Sequence, residues 1–550
     1  DTQIDGAITA NNEVSIVSKG NIITSAISEI KSTAAGVLLD STDNTQVGGA
    51  ILAKEDVKIV SEKAAITTTA KITSSDAGVS LESAENTQVG GAILAKEDVK
   101  IVSEKAAITT TAKITSSDAG ISLESAGDTQ IGGDVLAKED VEIVSKKAIT
   151  TTAAITSNEA GVSLNSTDNT QIGGTVSAKK DVNVNAGGSL SVNGTINSDA
   201  NISLNSKDDA EINAAVSAVG NILSNIENGA LIINDAVKSS LGNIRLNILH
   251  NNLFINNKVI SENGTVFANV YGNISDDPFS QNAGIYAKEV DLKSVAGNIG
   301  GAANNMRIEN SDSLPLIASV SALNGEIYVD GFTNGLVIKK FASGQDTLIL
   351  AGSDIQGYAF AGEREPNLSA KNIIIHSTNG SVGTKDARIT VAPINVDPLS
   401  GNGKVNVSAY SGIYINQYEQ LFYSDYIRNL GYGEASLLVP DNNVYIGEAI
   451  MLGGSSLNIN FLDNRYKKNV EIAAKDIKKI VIHPDAVLYP NESQALLKYN
   501  TISSFKQNIK DEMEKILDEL TISSFEREIK DEMEKTFDNP TIISLKTEYE

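Results

Sequence analysis

The sequence predicts an all-β chain. The expected fold is a right-handed parallel β-helix, a solenoid of about 21-residue coils, carrying a short α-helical C-terminal tail. Three observations lead there. Residues 44–84 recur at 86–126 with one change, Val79 to Ile121, and looser copies surround them. Apolar and polar residues alternate with period two inside each copy. Finally, no Phe, Tyr, Trp, Pro or Met occurs before Phe254. A core without aromatics must be narrow and filled by Val, Ile, Leu and Ala.

The repeat is anchored at Thr2, Thr45, Thr87, Thr129, Thr170 and Ala210, at intervals of 43, 42, 42, 41 and 40 residues. In DVKIVSE, Val57 and Ile59 share one face and Lys58 and Val60 the other. In AITTTAKIT, read as one strand, Ile66, Thr68, Ala70 and Ile72 oppose Thr67, Thr69 and Lys71. In GVSLES, Val79 and Leu81 oppose Ser80 and Glu82. The internal copies settle the phase of AILA. The Ile51 position is always branched, whereas the Leu52 position becomes Thr9 and Ser177 and so faces outward. Gly48-Gly49, Lys54-Glu55-Asp56 and Ser74 to Gly78 supply turns. The pairs Val57/Ile59, Val79/Leu81 and Val99/Ile101 are spaced by 22 and 20 residues, so each repeat is expected to hold two coils of three short strands. Stacked at ~4.8 Å, some 460 residues would make about 22 coils and a rod on the order of 100 Å.

Four segments follow. Residues 1–253 are regular, aromatic-free repeats, and residues 254–465 continue the β-helix less regularly, with protruding loops. Residues 466–500 form a terminal strand, cap or linker. In 501–550, TISSFKQNIKDEMEKILDEL and TISSFEREIKDEMEKTFDNP form a 20-residue tandem repeat. Ile502, Phe505, Ile509, Met513, Ile516 and Leu520 follow helical spacing, which predicts two amphipathic helices.

Composition excludes several functions. A formal charge of −25 and a pI near 4.6 disfavour nucleic acid and anionic membranes as partners. There is no Cys, hence no disulfide or thiol chemistry. No apolar run is long enough for a transmembrane helix, so membrane insertion is not expected. The chain opens inside a repeat, which predicts a processed piece of something longer.

Several residue clusters could carry chemistry. His250, His376 and His483 are at least five coils apart, about 24 Å, too far for a shared metal or triad. Asp56, Asp98, Asp140 and Asp181 recur at one corner, but two coils apart (~10 Å), too far to share one Ca²⁺. A solvated turn is the expected reading. Thr67, Thr69, Thr109 and Thr111 fit strand propensity on an outer face. GNIGG at Gly297–Gly301 lies in no strand–loop–helix unit, so nucleotide binding has no support. No catalytic residue, cofactor or metal is therefore assigned, and a non-enzyme is expected.

The GNI and SAKxDVxV patterns, the segment from Gly297 to Gly331, and the second copy GSVGTKDARITV followed by KVNVSAYSGIYIN carry a family likeness. They resemble the fibre region of filamentous haemagglutinin-like exoproteins, the large bacterial adhesins of two-partner secretion. The resemblance covers about 1–461. It implies a virulence-associated, β-helical fibre that is secreted or held at the bacterial cell surface. Such a fibre would attach to a host-cell receptor or glycan, or to neighbouring bacteria, after export through an outer-membrane transporter. No Asn-Pro-Asn motif of the secretion domain that opens such proteins occurs here, so a fragment is expected.

The candidate partner contacts are Tyr358, Phe360, Tyr410, Tyr414, Tyr418 and Tyr423, with Tyr271, Phe279, Tyr286, Phe422 and Tyr426 behind them, some of them expected to be core. Exposed aromatics anchor protein and glycan contacts. The regular half is expected to act as a spacer, with specificity from Phe254 onward. Two other functions fit the same fold: a polysaccharide lyase or hydrolase with convergent charges between Ala268 and Phe461, and a stalk delivering a C-terminal effector.

Overall fold

A computed structural model of the chain describes residues 1–461 apart from 278, 281, 359–364, 397–400, 419–421, 440–443 and 453–455, together with strand residues 470–473 and 545–546. The chain is a parallel β-solenoid of about 21 turns. Among the described residues there is no helix.

Each repeat makes two coils. Thr45–Val47, Ala50–Ala53 and Val57–Ser61 form one, and Ile66–Thr68, Ile72–Ser74 and Val79–Ser83 the next. Ile66 pairs with Thr45, Ile72 with Ile51 and Val79 with Val57, all in parallel. Val57, Ile59, Val79, Leu81 and Ile51 are buried, while Leu52 and Val60 sit on the outside, half-covered. These are the phases read from the alternation and from the internal copies.

AITTTAKIT is not one strand. The chain turns a corner at Thr69 to Lys71, between Ile66–Thr68 and Ile72–Ser74. Period-two alternation runs straight through the corner, which hid it. In the next coil the same corner is Gly90-Gly91, and a Cβ on Gly91 would lie 1.9 Å from the Ala70 carbonyl oxygen. The glycine in one coil thus lets the Thr-Ala backbone of its neighbour close up without a glycine of its own.

Polar ladders tie coils together along the rod. In the interior, Ser103 Oγ and Ser145 Oγ donate to the carbonyl oxygens of Glu85 and Gly127 in the coil before, at 2.6 and 2.7 Å, while Ser41 with Thr45, Ser83 with Thr87 and Ser125 with Thr129 close single corners at 2.7 Å. Outside, the side-chain amides of Asn185, Asn205, Asn225 and Asn247 each donate to the Asn one coil earlier, at 2.6–2.8 Å. Such amide stacks require the flat, in-register pairing that a solenoid supplies.

The cross-section widens after Lys258. The second and third strands of a coil merge into Lys258–Val270, with a register irregularity between Ser261 and Thr265, and then into Gly284–Ser294. The fourteen-stranded first face ends at Ile274–Asp276. Parallel pairing continues to Phe461. A wider interior needs larger side chains, and Phe332, Phe341 and Phe422 fill it, all fully buried.

The tandem helices expected in 501–550 lie outside the described residues, as does most of 466–500. Two short strands are the exception. Val470–Ala473 runs antiparallel to Ser456–Phe461, and Leu545–Lys546 runs antiparallel to Val470–Ala473.

Candidate interaction surface

A parallel solenoid places one residue from each coil in a column along the rod. The corner after the third strand can be followed through the hydrogen bond that each of its residues donates to the coil before. It reads Thr42, Glu62, Ala84, Glu104, Ala126, Lys146, Thr167, Gly187, Lys207 and Glu227, all polar or small. The same column then continues as Leu249, Tyr271, Val295 and Leu323. Leu249 is 51%, Tyr271 47% and Leu323 51% exposed. His250 stands beside this ridge, its ring 6.3 Å from that of Tyr271. A corner that keeps one chemistry for ten coils and then turns apolar for four forms a contiguous patch rather than scattered exposure.

A second patch lies on a corner of the last described coils. Tyr410, Leu430 and Leu452 follow one another in successive coils. Tyr432, 63% exposed, meets Tyr410 edge-on at 5.6 Å. Gly433, at φ 110°, lets the chain turn the corner between Phe422–Asn429 and Ala435–Val439.

The other expected contact residues divide. Tyr358 is exposed, with Lys339 6.0 Å from its ring, and Tyr418 is exposed at a corner. Phe279 stands almost free at 93% exposure. Tyr286, Tyr414 and Tyr426 are half-buried beneath Lys258, Arg388 and Arg428, at 5.4, 5.6 and 4.4 Å. Phe422 is core, and Tyr423 is buried with Lys404 over its ring at 5.7 Å. An alternating strand sends Phe422 inward, and its neighbour is covered by the lysine stem. Phe360 lies outside the described residues.

The acidic corner has a specific task. The carboxylates of Asp56, Asp98 and Asp140 accept hydrogen bonds from the amides of Gly78, Gly120 and Gly161 one coil on, at 3.0, 3.0 and 2.8 Å. They staple coils. No group of three or more His, Cys, Asp or Glu able to hold a metal exists among the described residues.

One charged constellation escaped the sequence reading. Arg307, Glu309, Asp330, Thr333 and Thr378 line a shallow depression of about 300 Å³. Asp276, outside that lining, accepts the Arg307 amide at 2.9 Å and the Asn304 side-chain amide at 3.1 Å. Glu309 accepts both the amide and the hydroxyl of Thr333, at 3.0 and 2.9 Å. Burial pushes the carboxyls of Asp276 and Asp330 above their ordinary value of 3.8; the Arg307 amide pulls Asp276 back, and the Arg307 charge pulls Asp330 back. His376 lies two coils further along the column of Asp330, beyond Leu350. His250 lies on the ridge instead, so these two histidines share no site.

Comparison with known proteins returns no matching family model, no matching curated protein and no matching solved structure.

Proposed function

We propose that the chain is a secreted or cell-surface rod that mediates bacterial adhesion, to a host-cell receptor or glycan or to neighbouring cells. The regular coils act as a spacer, and the ridge of Leu249, Tyr271, Val295 and Leu323 acts as a contact surface. The observation that carries this reading is the switch of one corner column from polar to apolar at Leu249. Exposed Leu and Tyr cost solubility unless a partner covers them, and a rigid Tyr is a frequent anchor of binding energy. The likeness of 1–461 to the fibres of two-partner secretion adhesins supports the same reading.

The test is a triple variant, Leu249→Ser, Tyr271→Ser and Leu323→Ser, in an attachment assay on epithelial cells and on bacterial lawns. Attachment should fall by roughly tenfold or more, with the circular dichroism spectrum and melting unchanged. Unchanged attachment in both formats would refute the role of the ridge.

A second reading, a polysaccharide-active enzyme, is favoured by one observation: Asp330, raised by burial, lines the depression with Arg307, and Asp276, also raised by burial, accepts the Arg307 backbone amide. A carboxyl whose proton affinity is raised by burial is a candidate for general acid chemistry. Incubation with a panel of neutral and uronic polysaccharides, comparing the natural chain with Asp330→Asn, decides it. Release of reducing or unsaturated ends by the natural chain alone would support this reading.

A further inference from the structure

We propose that the apolar patch at the end of the described solenoid is the docking site of the chain's own tandem segment, residues 501–540. Four observations converge on it. The patch is a column, Tyr410, Leu430 and Leu452, widened by Tyr432. It lies in the same final coils whose last strand, Ser456–Phe461, pairs with Val470–Ala473. Leu545–Lys546 pairs in turn with Val470–Ala473, so the chain that leaves the rod end at Ala473 returns there at Leu545. Both ends of the tandem segment are therefore tied to the rod end.

The tethers set the reach. Residues 541–544 allow the second copy to stray no more than on the order of 15 Å from its anchor, while 474–500 span several tens of ångströms. A segment held this way experiences the patch at an effective concentration on the order of millimolar. Its composition matches. Ile502, Phe505, Ile509 and Met513 recur as Ile522, Phe525, Ile529 and Met533, one apolar stripe per copy. Eleven acidic against six basic residues in 501–540 leave it negative, facing Arg428 two residues before Leu430. A second copy of the whole chain is a poorer occupant, because each carries a net charge of −25.

Docking would cover an apolar corner column that three successive coils present to solvent. It also removes Tyr410 from the residues free to meet a partner, whereas the ridge at Leu249 stays open.

The test places a photoreactive group on the patch in the full chain, Tyr432→benzoylphenylalanine, and maps cross-links by mass spectrometry at micromolar protein. Adducts should fall within 501–540 of the same molecule and keep their yield on tenfold dilution. Phe505→Asp with Phe525→Asp should cut that yield roughly tenfold, while Tyr271 ridge attachment and the solenoid's circular dichroism stay as in the natural chain. Adducts between molecules, adducts confined to the solenoid, or a yield unaffected by the two Asp substitutions would each overturn the assignment.

Discussion

Removal of residues 44–85 is expected to leave a folded rod that is shorter by two coils. The deletion joins Asp43 to Asn86, so Asn86 to Val89 take the place of Asn44 to Val47, residue for residue. Ile22 would pair with Thr87 instead of Thr45, Ile30 with Ile93 instead of Ile51, and Val37 with Val99 instead of Val57. The external ladder also survives, since Asn21 Oδ1, which now receives the Asn44 amide at 3.0 Å, would receive that of Asn86. Residues 86–120 repeat 44–78 without change, so every side chain facing the junction is preserved. At ~4.8 Å per coil the rod loses about 10 Å. In a stack with nearest-neighbour energetics, the stability of the remaining coils should hardly change. As 1 kcal/mol moves Tm by roughly 2–4 °C in domains of 150–250 residues, a shift of a few degrees at most is expected. Small-angle X-ray scattering on the two chains reads the difference in maximum dimension, and calorimetry reads Tm. A control deletion of 44–74, one and a half coils, would set strands against corners and should unfold the region. Collapse of the 44–85 deletion, or tolerance of both deletions alike, would refute a register-locked stack.

Three further outcomes are expected. Thr68, Thr110 and Thr151 point hydroxyls into the core with no hydrogen-bond partner, on a ladder whose neighbours are Val47, Val89 and Ile131, so Thr68→Val should stabilise by about 1 kcal/mol, read by denaturant titration. Gly91→Ala should destabilise by about 1–3 kcal/mol through its clash with the Ala70 carbonyl, more than Gly90→Ala, whose added Cβ would sit 3.1 Å from the Thr68 oxygen. Burial raises the Asp330 carboxyl above 3.8, so the folded state binds its proton more tightly than the unfolded one. That stabilisation is complete below pH 3.8 and is lost as pH rises through the raised value, so Asp330→Asn should slow local hydrogen exchange around 329–331 at pH 7 and make no difference near pH 3.

Much of the fold was legible in order. Alternation assigned Val57, Ile59, Val79 and Leu81 to the interior, and the internal copies oriented Ile51 and Leu52. The corner at Thr69 was not legible, because its glycine partner sits in another coil. The proposed contact surface was legible only in part. Tyr271 and Tyr410 were among the candidates, but Phe422 and Tyr423 belong to the covered interior. The companions of Tyr271 in its ridge, Leu249, Val295 and Leu323, looked unrelated to it.

The sequence alone determined the architecture: a repeat of two coils, a narrow aliphatic core before Phe254, and strands whose inner and outer faces follow from period two. Those are local properties, carried by each coil independently of its place in the stack. Only the tertiary structure decided which residues share a column. In the regular repeats, partners recur about every 21 residues and the columns can be counted. After Lys258 the coils lengthen unevenly, so that Val270 pairs with Ser294, Ser294 with Ala322 and Ile373 with Val405. Once the interval drifts, spacing along the chain no longer reports distance along the rod. The ridge at Leu249 and the convergence of Asp276, Arg307 and Asp330 exist only in the stacked molecule, because inter-coil hydrogen bonds, not sequence intervals, set their register.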